Sequence, residues 1–298
     1  MGKWAKKKQK NTIKDDIFRR LNGMLQEGMG RSRQEDKKAG IDQDYIYSSK
    51  TYETYRREAK RFADWVKKEH PEVLHLKDLR PYADDYLQSQ IDAGLSAWTI
   101  TTRKAAIAKT LGIPYGDMIA TPSRNRSDIT RSRAAVSRDK HISDATEARL
   151  AMITAATGLR RRELVKITGD ALKFDSKTGK PFLHITEGTK GGKERTAWII
   201  GSTQEETDEV VKLFQNAGRL RVCPHVSEAY DNHHYRAEYA KRYYNRIARP
   251  ADRIPKEDRY IMRKDRAGEV LDKRAMRAVS KALGHNRIDV IAASYLYV

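Results

Sequence analysis

Leu283-Gly284-His285-Asn286-Arg287-Ile288-Asp289-Val290-Ile291-Ala292-Ala293-Ser294-Tyr295-Leu296-Tyr297-Val298 is the stretch from which the rest of the chain is read. Gly284 stops one helix and a polar corner carries His285. A short helix follows, with Ile288, Ile291 and Ala292 at helical spacing on one face. It presents Tyr295 ten residues after His285. A tyrosine in such a place is ordinarily an amphipathic residue at the edge of a core. Upstream, the chain supplies cations in an order that gives the phenol a second use.

The 298 residues carry 60 Lys and Arg against 40 Asp and Glu, a formal charge of +20, while 39% hydrophobic residues suffice for cores. So basic a chain points to a polyanionic partner, nucleic acid before an anionic membrane surface. No apolar run approaches a membrane span, the N-terminus lacks the apolar core of a signal peptide, and the one cysteine, Cys223, fits a reducing compartment. The expected location is cytoplasmic.

Four segments are expected: 1–45, 46–120, 121–141 and 142–298. The first is a lysine-rich tail (Lys3, Lys6, Lys7, Lys8, Lys10) and a short amphipathic helix on Ile13, Ile17, Leu21 and Leu25. The second is a helical domain. Its first helix is capped by Ser48 or Ser49, its second starts near Pro81, and its third is capped by Ser96. One face of the third helix holds Thr99, Thr101, Thr102, Arg103 and Lys104, a set suited to phosphate and base-edge contacts, although a solvated face gives the same pattern. The third segment, with Arg124, Arg126, Arg131, Arg133, Arg138 and Lys140, reads as a linker whose self-repulsion favours a path along DNA.

The fourth segment opens with a helix capped at Ser143 or Asp144, with Glu147 placed for a capping box to Asp144, and a second helix over Arg161 to Ile167. The period then changes to two. Ala171–Phe174, Phe182–Thr186 and Arg195–Ile200 are predicted antiparallel strands, and Tyr260–Met262 pairs with Glu269–Leu271 around Gly268. Helices fill the remainder. The fold class is therefore mainly α with a small antiparallel β-sheet, a helical domain followed by a mixed α+β domain.

Five features stand in one order: Arg160 in Thr157-Gly-Leu-Arg160-Arg-Arg-Glu-Leu164, Lys190 in a Gly-rich hairpin tip, His233-His234-Tyr235-Arg236, Leu-Gly-His285, and Tyr295. Each alone is weak, because Arg-rich helix starts, hairpin-tip lysines and surface His/Arg pairs are common. A metal site from Cys223, His225, His233 and His234 matches no standard zinc spacing. Together the ordered set resembles the catalytic set of the tyrosine recombinases, the phage-integrase family, over residues 48–298. The resemblance implies a core-binding domain and a catalytic domain closing on DNA as a C-shaped clamp. It also implies a double-stranded DNA attachment site as partner, a homo-oligomer that is tetrameric in the synapse, and no metal or other cofactor. Arg160, Lys190, His233, Arg236, His285 and Tyr295 would be catalytic; Thr101, Thr102, Arg103, Lys104, Arg124, Arg126, Arg131, Arg133 and Lys193 would contact DNA.

The chemistry suits those residue types. A phenol with a pKa near 10 needs a base and a positive surrounding to attack. Two arginines neutralise charge building on phosphorus. The 5′ oxygen needs a proton donor, which the resemblance assigns to Lys190, while the tyrosine keeps the 3′ phosphate for rejoining. The sequence departs from the family in three places. His233 and His234 are adjacent, and His233 alone gives the three-residue step to Arg236. The 48 residues between Arg236 and His285 are many for the family. Three residues follow Tyr295, where many relatives dock a longer tail on a neighbouring subunit. The expected activity is site-specific recombination by an integrase of a mobile element. A relaxing type IB topoisomerase, a hairpin-forming resolvase and a catalytically silent DNA-binding protein are the alternatives.

Overall fold

The structure, a computed structural model, describes residues 12–125, 128, 142–189, 192–228, 230–263 and 266–296. The lysine tail, Arg126, Arg131, Arg133, Arg138, Lys140, Lys190 and Tyr297 lie outside them. The chain divides into two compact units, 1–124 and 125–298.

In the first unit, α1 (Ile13–Gly28) starts at a capping box: the Thr12 hydroxyl accepts from Asp15 N, and the Asp15 carboxylate accepts from Thr12 N at 2.9 Å. Its Ile13, Ile17 and Leu21 are buried in one cluster with residues from three later helices. These are Phe62 and Val66 of α3 (Ser49–Glu69), Leu87 of α4 (Ala83–Asp92) and Ile100 and Ile107 of α5 (Ala97–Leu111). The short α2 (Arg33–Lys38) intervenes. Ser48 and Ser96 cap α3 and α5 by accepting from Thr51 N and Thr99 N. Near Pro81 the chain forms a 3₁₀ turn, Leu76–Tyr82, and α4 begins only at Ala83.

The cations of α5 have partners within the first unit. Lys104 is buried, its ammonium donating to Met118 O at 3.1 Å and Ile119 O at 2.8 Å. Arg103 lies beside the buried Glu58, with Nε 3.3 Å from Oε2, and donates to Gln90 Oε1. Their positions one and two places on from Thr102 turn them toward α4 and the unit's end, because successive helical residues rotate by about 100°. Thr101 and Thr102 line a shallow groove with Lys50, Thr54 and Tyr55, though each hydroxyl donates to the carbonyl four residues back. Arg124 is exposed.

In the second unit, α6 (Asp144–Thr157) is capped by Ser143, which accepts from Thr146 N; Asp144 is already helical, so the box with Glu147 does not form. After α7 (Arg161–Lys166) comes a three-stranded antiparallel sheet of β1 (Leu172–Phe174), β2 (Pro181–Ile185) and β3 (Arg195–Trp198), with Leu183 opposite Leu172 and Ala197. The helices α8 (Gln204–Ala217) and α9 (Asn232–Ile247) follow, then the hairpin β4 (Arg259–Ile261) and β5 (Val270–Asp272), with Tyr260 opposite Leu271. The unit finishes with α10 (Lys273–Ala282) and α11 (Asp289–Ser294). One core gathers Ile153, Leu164, Leu183 and Phe214; a second gathers Ala237, Tyr239, Met276, Val279, Ile291 and Tyr295. The mainly helical class with small antiparallel sheets is as the sequence predicts. No described helix is long and apolar enough to cross a membrane.

Because the Lys104 ammonium satisfies two carbonyls, Lys104→Met should lower the stability of the first unit by about 1–3 kcal/mol. Urea unfolding of the full chain followed at Trp65 or Trp98 would measure it; an unchanged midpoint would mean water serves those carbonyls equally well.

Candidate active site

Two backward-turning glycines bring the site's carbonyls together. Gly158, at φ +62°, ends α6, and a Cβ there would lie 2.5 Å from Tyr239 Cδ1. Gly284, at φ +67°, follows α10, and a Cβ there would lie 2.9 Å from Arg195 Cδ and 3.2 Å from Arg160 Nη1. Both places require glycine for backbone angle and for room.

Three guanidinium groups converge on these corners. The carbonyl of Gly158 accepts from Arg236 Nη1 and, at 3.2 Å, from Arg195 Nη2. The carbonyl of Leu283 accepts from Arg160 Nη2 at 2.7 Å and Arg236 Nη2 at 3.3 Å. Arg160 also reaches Gly284 O at 3.2 Å. So much like charge needs a counterion, and it is Glu163, fully buried on the first turn of α7. Its carboxylate accepts from Arg160 Nη1 (2.8 Å), Arg195 Nε (3.1 Å) and Arg195 Nη2 (2.6 Å), and from Arg160 N (2.7 Å). Burial alone would raise its pKa, but the Arg195 hydrogen bonds and charge outweigh burial and hold it below the ordinary value.

Arg236, inside the α9 helix, is fully buried. Burial lowers its pKa to about 10, with Tyr295 opposing that shift and Arg195 and Arg160 adding to it, so it remains a cation at neutral pH. Its Nε is buried without a hydrogen-bond partner among the described residues. Such an unsatisfied cation is costly unless an anion completes it.

Tyr295 stands at the C-terminal end of α11, its N–H donating to Ile291 O at 3.0 Å. The phenol oxygen is 3.1 Å from His285 Nε2 and 3.5 Å from Arg236 Nη2. His285 is fixed by its backbone: its N–H donates to Ser280 O at 2.8 Å, and the Ser280 hydroxyl donates to His285 O at 2.9 Å. The structure thus joins Arg160, Arg236, His285 and Tyr295. His233 is exposed on the first turn of α9, while His234 is half-buried with Nε2 3.2 Å from Glu238 Oε1. Lys193 is exposed ahead of β3. Among the described residues no group of three or more His, Cys, Asp or Glu could hold a metal.

Glu163 and Arg195 were given no role by the motif reading. Glu163 lies inside the quoted Arg-x-x-Glu pattern, and Arg195 and Ala197 of β3 alternate in phase with Ile199 just past its end, all three buried. An arginine in phase with buried apolar residues was the available signal.

Residues 119–254 match the family model described as "Integrase". The fold is similar to that of the XerH site-specific recombinase, solved bound to palindromic difH substrate as a post-cleavage complex. The TM-score is 0.51 and the identity 13%, over 96% of this chain and 91% of that one. The chain resembles the tyrosine recombinases, in its integrase segment and in its fold. The Tn1549 transposon integrase, solved with circular intermediate DNA, is similar at a TM-score of 0.43 and 13% identity, covering 96% of both chains. No curated protein sequence matches.

Glu163→Gln should leave the buried Arg195 unpaired and cost about 3–5 kcal/mol, read as a fall in the chemical-denaturation midpoint. In the wild type, a carboxyl with lowered pKa contributes stability above its ordinary value of 4.5 that is lost as pH falls below it. The Gln variant should show a correspondingly flatter acid limb. Equal acid limbs in the two proteins would remove Glu163 as the keystone.

Proposed function

We propose that the chain is a site-specific DNA recombinase, an integrase of a mobile element, that cuts and rejoins duplex DNA through a covalent 3′-phosphotyrosyl intermediate. The observation that carries this is the Tyr295 phenol oxygen 3.1 Å from His285 and 3.5 Å from Arg236, which shares the carbonyl of Leu283 with Arg160. The integrase match and the recombinase fold support it, as do DNA complexes of the similar proteins and the charge of +20.

In this reading a scissile phosphate docks against Arg160 and Arg236, taking the hydrogen bond that Arg236 Nε leaves open. Tyr295 Oη attacks phosphorus; its proton passes to His285 Nε2, which accepts in its unprotonated form. The bond from phosphorus to the 5′ oxygen breaks as the bond to Tyr295 forms, and Lys190 protonates the departing oxygen. The guanidinium pair bears the charge of the five-coordinate transition state. Reversal with another strand's 5′ hydroxyl rejoins the DNA without loss of a phosphodiester. His233 would stand by the phosphate, and Thr101, Thr102, Arg124, Arg126, Arg131, Arg133 and Lys193 would contact the duplex. The synaptic complex would be a homotetramer.

Incubation with a nicked suicide substrate carrying the native attachment site tests the nucleophile. Tyr295→Phe should bind DNA yet form no covalent complex, whereas Tyr297→Phe should retain it. Peptide mapping that places the DNA on Tyr297, or on a tyrosine before His285, would overturn the assignment.

The proton donor is separable. Lys190→Ala should slow cleavage by roughly 10²–10⁴-fold, and a substrate whose 5′ leaving oxygen is replaced by sulfur should recover the rate. Rescue of Lys193→Ala but not Lys190→Ala would transfer the role to Lys193.

A further inference from the structure

Between Arg236 and His285 the chain inserts the β4–β5 hairpin. The hairpin is part of the core that holds Tyr295. Met262 is buried in that cluster beside Tyr295 and Leu296, and Tyr260 and Leu271 pack against it. From the turn, Arg266 Nη1 donates to Leu296 O, the carbonyl one residue beyond Tyr295, at 2.8 Å. The same guanidinium is braced by Glu269, through Nε to Oε1 at 2.6 Å and through Nη2 to Oε2. Held by a fixed fork and a carboxylate, the arginine has little rotamer freedom left to lose.

The α11 helix has six residues and no side-chain cap. So short a helix is marginal by itself, and the last turn of a helix is where carbonyls lack partners. Arg266 holds the carbonyl of Leu296, two residues past the helix, at the point where fraying would swing the phenol away from His285 and Arg236. Apolar packing and the hydrogen bond therefore act on the same two residues from one insertion.

We propose that Arg266, braced by Glu269, is a positioning residue that fixes the chain just past α11 and so keeps the Tyr295 phenol beside His285 and Arg236. This rests on the reading of Tyr295 as nucleophile. Its action is on the placement of one oxygen atom, and a displacement of about 1 Å costs on the order of 10²-fold in rate.

The test uses the full chain with 3-fluorotyrosine placed only at position 295, observed by ¹⁹F NMR, alongside single-turnover cleavage of the suicide substrate. The wild type should give one narrow resonance. Arg266→Ala should broaden or split it and slow covalent-complex formation roughly 10–100-fold, with DNA affinity and thermal midpoint unchanged. Arg266→Lys, which keeps one donor for Leu296 O, should restore part of both. An unshifted narrow resonance in Arg266→Ala would overturn the proposal. So would cleavage at the wild-type rate, or an equal loss in DNA affinity and thermal midpoint. If the resonance responds as expected while the wild type forms no covalent complex, the positioning stands and the recombinase reading fails.

Discussion

The carboxylate of Glu163 takes hydrogen bonds from two arginines at once, and the second unit's centre is arranged around that ion cluster. Without it, Arg195 would be an unpaired charge in the core, and Arg160 would lose the contact that holds its guanidinium against Leu283 O. One buried anion cannot balance three cations. Arg195 and Arg160 are tied to Glu163; Arg236 shares only carbonyls with them and keeps an open Nε. The cation that Glu163 leaves unbalanced is therefore Arg236, whose Nη2 lies 3.5 Å from the Tyr295 oxygen.

The corner glycines make this possible by geometry. A carbonyl has two lone pairs, and the Gly158 and Leu283 carbonyls each use both on guanidinium donors. Chain reversals at Gly158 and Gly284 aim those oxygens inward, and side chains at either glycine would fill the space that Tyr239 and the arginines occupy.

Much of this was legible in the sequence. Helical spacing and caps gave α1, α3 and α5, and the change of period gave the three-stranded sheet and the β4–β5 hairpin within a residue or two at their ends. Ordered motifs named Arg160, Arg236, His285 and Tyr295, which the fold brings together across 123 residues of separation between Arg160 and Leu283. Spacing could not say which cations face inward. Arg103 and Lys104 share a polar stretch with Thr101 and Thr102, yet a turn of about 100° per residue sends them to partners in their own unit. Glu163 and Arg195 escaped because the motif order gives neither a role, although the phase of Arg195 with Ala197 and Ile199 marks it as inward-facing.

The long separation of Arg160 from its carbonyl partners also sets an order of assembly. During synthesis, chain emerges N-terminal end first at about 5–20 residues per second. Arg160 and Glu163 leave the ribosome many seconds before Leu283 and Gly284 exist to receive the guanidinium. Until then Arg160 and Arg195 have Glu163 but not the carbonyls of Leu283, Gly284 and Ala282, and the phenol has not been made. A nascent chain carries its positive charge before it has the arrangement of guanidinium groups around Tyr295.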